Sequence, residues 1–273
     1  MSAVRQPAVA GAFYPGEEQA LAGTVASLLA AAHAETPADA ASATPKVLIV
    51  PHAGYIYSGL MAARAYARLA GVRATVRRVV LLGPVHRVPV RGLALPGATT
   101  FATPLGEIDI DQDAVAALAG LRQVVVSPAA HALEHSLEVQ LPFLQTVLDD
   151  FKLLPLAVGD ATPAEVAQVL EALWGGPETL IVISSDLSHY LPYRAAQAID
   201  RNTVDHILAL QGPLTHEQAC GGTPINGLLL AAHQHHLQPQ LLGLCNSGDT
   251  AGDQQRVVGY AAIAFTEASH GTH

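Results

Sequence analysis

The stretch VLIVPHAGYIY, Val47 to Tyr57, runs four aliphatic residues into Pro51 and then presents His52 in a glycine-containing loop. Two later stretches repeat the layout: VVLLGPVH, Val79 to His86, and LIVISSDLSH, Leu180 to His189. A short continuous apolar run bounded by turn residues fits a strand buried on both faces. Three such runs, each delivering a histidine just past its C-terminal end, have the layout of a site built at one edge of a sheet.

Around these runs the chain alternates. Helical patterns cover residues 17–33, a stretch after Ser58 whose apolar face is Leu60, Ala63, Ala67 and Leu69, residues 162–174 and 193–210, and 225–233 behind Pro224. Residues 111–118 read as a short helix with an acidic first turn, and 92–95, 106–110, 124–126, 152–158, 241–244 and 257–265 as further strands. Residues 99–105 read as irregular loop and 35–44 as a surface loop. Strands alternating with helices predict a single α/β domain that binds ligands at the C-terminal edges of its strands. Its core spans about 4–267, followed by a loose tail over 268–273 that carries His270 and His273.

Composition narrows the partners. The chain has 273 residues, half of them hydrophobic, which suffices for a sizeable core. A formal charge of -9, with Lys46 and Lys152 as the two lysines, excludes nucleic acid and anionic membrane surfaces, both of which attract clustered positive charge. No apolar run approaches the roughly 20 residues of a spanning helix. The N-terminus lacks an h-region and is interrupted by Pro7 and Pro15, so the expected location is the cytoplasm. Cys220 and Cys245 cannot make a disulfide framework and are expected to stay reduced there. Small molecules or peptides remain as ligands.

Thirteen histidines set the chemistry. A single loop histidine is ordinarily a hydrogen-bonded structural residue, but neutral imidazole is the commonest metal ligand, and neighbouring parallel strands would bring His52, His86 and His189 together. Asp186 can ligate a metal, orient a histidine, act as acid or base, or simply cap Ser188. Cys220, between Ala219 and a glycine pair, can be a thiolate of depressed pKa or a small buried hydrophobe. Residues 129–148 would, as one helix, place His131, Glu134, His135 and Glu138 within two turns, with Pro142 as a kink. That cluster lacks the HEXXH spacing, so His135 is read as an acid or base at the pocket edge. The AGAFYPG turn at 10–16 is read as a structural lid. P-loop, GxGxxG and GxSxG patterns are all missing.

Six stretches together resemble one family: PHAGYIYSG at 51–59, LLGPVHRVPV at 81–90, TPLGEIDID at 103–111, EHSLEVQLPFL at 134–144, SSDLSHY at 184–190 and ACGGTPING at 219–227. They look like the Memo family, called AmmeMemoRadiSam system protein B in bacteria and archaea, and the match runs in order over nearly the whole chain. The resemblance implies a central mixed, largely parallel sheet flanked by helices, similar to class III extradiol ring-cleaving dioxygenases. It makes His52, His86 and Cys220 the metal ligands, Asp186 and His189 the remaining pocket residues, and puts His135 at the pocket edge. It further implies a divalent or redox metal, with iron or copper favoured and zinc as the third choice, and companion proteins of the AmmeMemoRadiSam system as partners.

Three functions follow. The first is a metal-dependent redox or dioxygenase-like enzyme in which Asp186, His189 and His135 handle protons. The second is a non-catalytic accessory protein that recognises a peptide or partner through the same pocket. The third is a zinc hydrolase, which needs an activated water and a base.

Overall fold

The computed structural model describes residues 3–35 and 44–267. Apart from Glu35 and Thr44, the surface loop expected over 35–44 lies outside the described residues, as does the tail with His270 and His273. The chain begins with β1 (Val4–Arg5), α1 (Glu18–Glu35), β2 (Val47–Val50), α2 (Tyr55–Tyr66), β3 (Arg78–Pro84) and β4 (Leu93–Leu95). It continues through β5 (Thr100–Thr103), β6 (Gly106–Asp109), α3 (Gln112–Ala117), β7 (Val124–Val126), α4 (Pro128–Ala132), α5 (Leu141–Val147) and β8 (Lys152–Val158). The last part holds α6 (Pro163–Leu173), β9 (Thr179–Ser184), β10 (His189–Leu191), α7 (Tyr193–Leu208), α8 (Gly222–Gln234), β11 (Gln238–Asn246) and β12 (Val257–Thr266).

Nine strands form the main sheet in the order β10-β12-β2-β9-β3-β8-β4-β7, with β11 paired to β12. Its centre, β2-β9-β3-β8, is parallel throughout, and β12 and β4 border it antiparallel. This is the mixed, largely parallel sheet expected. Successive residues of the central strands serve opposite faces, as the two-residue period of a strand requires. Leu48, Val50, Leu81 and Val182 join one core with α1, α2 and α5, while Val47, Ile49, Leu82 and Ile183 join the other with α6, α7 and α8. Burial on both faces explains why these strands are uninterrupted apolar runs. Among the described residues no helix is long and apolar enough to cross a membrane.

Three local expectations need correction. Residues 99–105 are not irregular: Thr100–Thr103 is β5, the middle strand of a small sheet with β1 and β6. It forms a tight antiparallel hairpin with β6, and its other partner, β1, comes from nearly a hundred residues earlier. Helix α2 starts at Tyr55, behind Gly54, and Ser58 lies inside it, donating to the Ala53 carbonyl at 3.0 Å. Residues 129–148 are not one helix. The Glu134 carboxylate accepts the N–H groups of His135 and Ser136 at 2.9 and 3.0 Å, diverting the donors that would continue α4. Pro142 therefore does not kink a helix; it sits in the first turn of α5, where a missing N–H costs nothing.

The N-terminal segment is tied down by Glu138, which is fully buried. Its carboxylate accepts from the Arg5 guanidinium, from Tyr14 Oη at 2.6 Å, and from the N–H groups of Ala8 and Val9 at 2.8 and 3.0 Å. Arg5 also donates to the carbonyls of His131 and Glu134. Removing one partner of such a pair strands a buried charge. Glu138→Ala is therefore expected to lower unfolding stability by about 3–5 kcal/mol, read as a fall in the midpoint of urea denaturation with an unchanged slope.

Candidate metal centre

The three site-bearing loops leave adjacent strands. Because β2, β9 and β3 are parallel neighbours, their C-terminal ends open onto the same edge, where Pro51, Ser185 and Val85 lead directly to His52, Asp186 and His86. Cys220 reaches the same point from the turn before α8. Its N–H donates to the Asp186 carbonyl at 3.2 Å and its Sγ accepts the Asp186 N–H at 3.3 Å. Gly221 makes this approach possible, since a Cβ there would stand 2.6 Å from Ser185 Cβ.

The ligand atoms of His52, His86 and Cys220 all lie within 4.8 Å of one another, and His52 Nε2 faces Cys220 Sγ at 3.3 Å. A tetrahedral ion with a bond of about 2.3 Å to sulfur and about 2.0 Å to nitrogen needs those atoms roughly 3.5 Å apart. The donor set therefore fits an ion.

The hydrogen-bond network also settles which ring nitrogen is left for an ion. Tyr66 donates to Gln140 Oε1, and Gln140 Nε2 donates to the Pro51 carbonyl and to Ser184 Oγ. Ser184 has one proton, which goes to the Ser136 carbonyl at 2.6 Å. His52 Nδ1, 2.9 Å from Ser184 Oγ, must then be the donor, leaving Nε2 as the nitrogen that faces Cys220 Sγ.

Glu134 does the same for His86. Burial would raise its pKa, but the His86 ring, the Ser136 N–H and the His86 N–H outweigh this and hold it down to about 2. An ionised carboxylate only accepts, so His86 Nδ1, 2.9 Å away, is the donor and Nε2 is the ring nitrogen left for an ion. His189 follows suit, with Nδ1 donating to the Leu187 carbonyl at 2.8 Å.

Without an ion, burial disfavours the charged forms of His52, His135, Asp186 and Cys220. Burial pushes the His52 pKa well below the usual histidine range, and the charges of His86 and His135 add to it. Burial likewise lowers His135 and raises Asp186. Of the two readings of Cys220, the depressed pKa does not hold: burial, then the charge of Asp186, push the thiol up to about 12. Cys220 is thus a thiol until a cation replaces its proton.

Other assignments shift with the geometry. His135 also stands beside His52 and His86, with ring centroids at 5.5 and 4.6 Å, while His189 lines the same cleft. Asp186 does not cap Ser188; it accepts the His52 N–H at 2.7 Å, and Asp200 accepts from Ser188. His131 is buried and bonded through Nε2 to the Ala94 carbonyl, away from the centre. Phe13 of the AGAFYPG turn is a pocket wall, 4.8 Å from the His135 ring. Sequence reasoning missed Ser184, Gln140 and the orienting role of Glu134. The only signals were an acid in EHS next to a pocket histidine and a serine ending an apolar strand. The centre forms the floor of an open cleft of about 1950 Å³.

Comparison with known proteins places this architecture. The family model described as Memo-like protein matches residues 5–264. A MEMO1 family protein of Sulfurisphaera tokodaii is 35% identical over 287 residues, covering 96% of this chain and 99% of its own. One of Archaeoglobus fulgidus is 35% identical over 282 residues, covering 96% and 99%. A crystal structure of an uncharacterized protein from Escherichia coli K12 shares the fold with a TM-score of 0.52 at 17% identity, covering 80% of this chain and 98% of that one.

The orienting contacts make a distinct prediction. Glu134→Gln keeps the size of the side chain but removes the charge that fixes the His86 tautomer. It is expected to weaken metal affinity about 10- to 100-fold, measured by competition with a chromophoric chelator, while the far-ultraviolet dichroism stays unchanged.

Proposed function

This chain belongs to the Memo family, and from that premise we propose that it is a metal-dependent protein whose open cleft carries out redox or oxygen-related chemistry on a small molecule. His52, His86 and Cys220 hold one ion. The observation that carries this reading is the convergence of ligand atoms from two imidazoles and one thiol within 4.8 Å of one another, both imidazoles held through Nδ1 by buried groups. Two imidazoles with one thiolate form a soft donor set that suits iron or copper, with zinc as the alternative. When bound, such an ion supplies Lewis acidity and, for iron or copper, electron transfer.

The remaining residues handle position and protons. Asp186 Oδ2 stands 4.0 Å from His52 Nε2, and its raised pKa suits it to hold a proton beside the ligands. His189 has its Nδ1 occupied by the Leu187 carbonyl and lines the cleft, where its Nε2 can hydrogen-bond a ligand. His135 is fixed next to His86 by Glu134 and shielded by Phe13. A zinc hydrolase and a non-catalytic accessory protein are the competing readings, and metal analysis with turnover tests separates them.

Purified chain is expected to hold close to one equivalent of metal by plasma mass spectrometry, with His52→Ala and Cys220→Ala losing most of it. Unchanged metal content in both variants sinks the proposal. The sign of the pH dependence is set by Cys220. Its metal-free thiol is protonated below about 12, so ligation releases one proton. Apparent affinity should rise about tenfold per pH unit between roughly 7 and 9, a slope that Cys220→Ala should abolish.

A further inference from the structure

The cleft extends well past the three ligands, and one of its walls is built in an unusual way. Strand β10 pairs antiparallel with β12 through His189 opposite Val258 and Leu191 opposite Val257, and the register slips between these two pairs. Tyr190, at the slip, has φ 60, a left-handed conformation disfavoured for an aromatic residue and held only where its surroundings impose it. Regular alternation along β10 would turn Tyr190 away from its neighbours. The irregularity instead lets His189, Tyr190 and Leu191 all line the cleft.

Tyr190 is 61% exposed, and its ring meets the His189 ring edge-on at 5.7 Å. The Arg256 guanidinium lies over that ring, 5.0 Å from its centroid. The loop carrying Arg256 is braced from within, because Asp253 Oδ1 accepts the N–H groups of Gln255 and Arg256 at 2.7 and 3.2 Å. Arg256 itself lines the cleft, and among the described residues no carboxylate lies within 4 Å of its guanidinium. Arg78 and Arg91, by contrast, are held by Asp111 and Glu165. In a chain of net charge -9, a guanidinium fixed on an aromatic platform and lacking an acidic partner leaves its planar fork available to an oxyanion.

We propose that Tyr190 and Arg256 form an oxyanion subsite of the cleft, which takes the carboxylate or phosphate group of a small-molecule ligand and directs its other end toward His189 and the metal-ligating residues. Leu191, Ile199 and Val258 line the same cleft and suit an apolar body between the two ends. The inference rests on the reading of the cleft as a small-molecule site, and it names the class of molecule.

The test is calorimetric titration of the full chain with benzoate, phenyl phosphate and uncharged benzyl alcohol, after chelation and dialysis so that no anion can bind an ion. At least one of the two anions should bind more tightly than the alcohol, and the tighter of the two identifies the preferred head group. Arg256→Gln should weaken that anion about tenfold and leave the alcohol unchanged, and Arg256→Lys should recover part of the loss. Arg256 is exposed, so both variants are expected to fold and to keep the metal content of the unsubstituted chain. Equal binding of the anion by Arg256→Gln and the unsubstituted chain would overturn the inference, as would failure of both anions to bind the unsubstituted chain. Loss of the metal reading has a different signature, since it shows in the metal content of His52→Ala and Cys220→Ala and leaves this titration unaffected.

Discussion

Parallel pairing of β2, β9 and β3 brings the site together. Val50 stands opposite Ser184 and Leu82 opposite Ile183, so the three strands end at nearly the same height, about 4.8 Å from neighbour to neighbour. The middle strand matters most. Ser184 holds the His52 ring, Ser185 accepts the Gly221 N–H at 2.9 Å, and the Asp186 backbone both accepts from and donates to Cys220. The residues that end β9 thereby align a histidine from one side and a cysteine from below.

Burial then decides the charge state of everything placed there. His52 and His135 are pushed toward neutrality, and Asp186 and Cys220 toward their protonated forms. Glu134 escapes because three N–H groups and the His86 ring converge on its carboxylate, more than enough to offset its desolvation. A pocket with one ionised acid behind it and imidazole and thiol ligand atoms converging in front is arranged to receive positive charge. The same burial that protonates the thiol makes its replacement by a cation dependent on pH.

What could be read from the sequence was whatever is local and periodic. The runs VLIV, VVLLG and LIVIS are buried on both faces, which makes them continuous, and a proline, glycine or serine marks where each stops and its site residue follows. Contacts made across space left no such mark. The single proton of Ser184 orients His52 only because Gln140 and Ser136 claim its other positions, and these come from a segment more than forty residues away. In the sequence His189 falls with His52 and His86, because it too follows an apolar run. The structure sets it on β10, hooked antiparallel onto β12, and also stands His135 beside the two ligands. Thr100–Thr103 is paired on one side with its sequence neighbour β6 and on the other with β1 from the N-terminal segment, and the second of these pairings leaves no mark in the local sequence.

The segment EHSLEVQ, Glu134 to Gln140, shows why an apparent helix had to be broken. In a continuous helix Glu134 and Glu138 would share a face, four residues apart, and their like charges would meet the same surroundings. With α4 ended at Ala132, the two acids serve different parts of the molecule. Glu134 turns to His86 and the pocket, Glu138 to Arg5, Tyr14 and the N-terminal segment, while the Ser136 carbonyl and Gln140 amide reach Ser184. Because Tyr14 is held by Glu138, its neighbour Phe13 is delivered against His135. One buried, largely irregular stretch therefore anchors the N-terminus, sets the tautomers of two proposed ligands and fixes a wall of the cleft. A helix would satisfy its own backbone but could not point these side chains in so many directions.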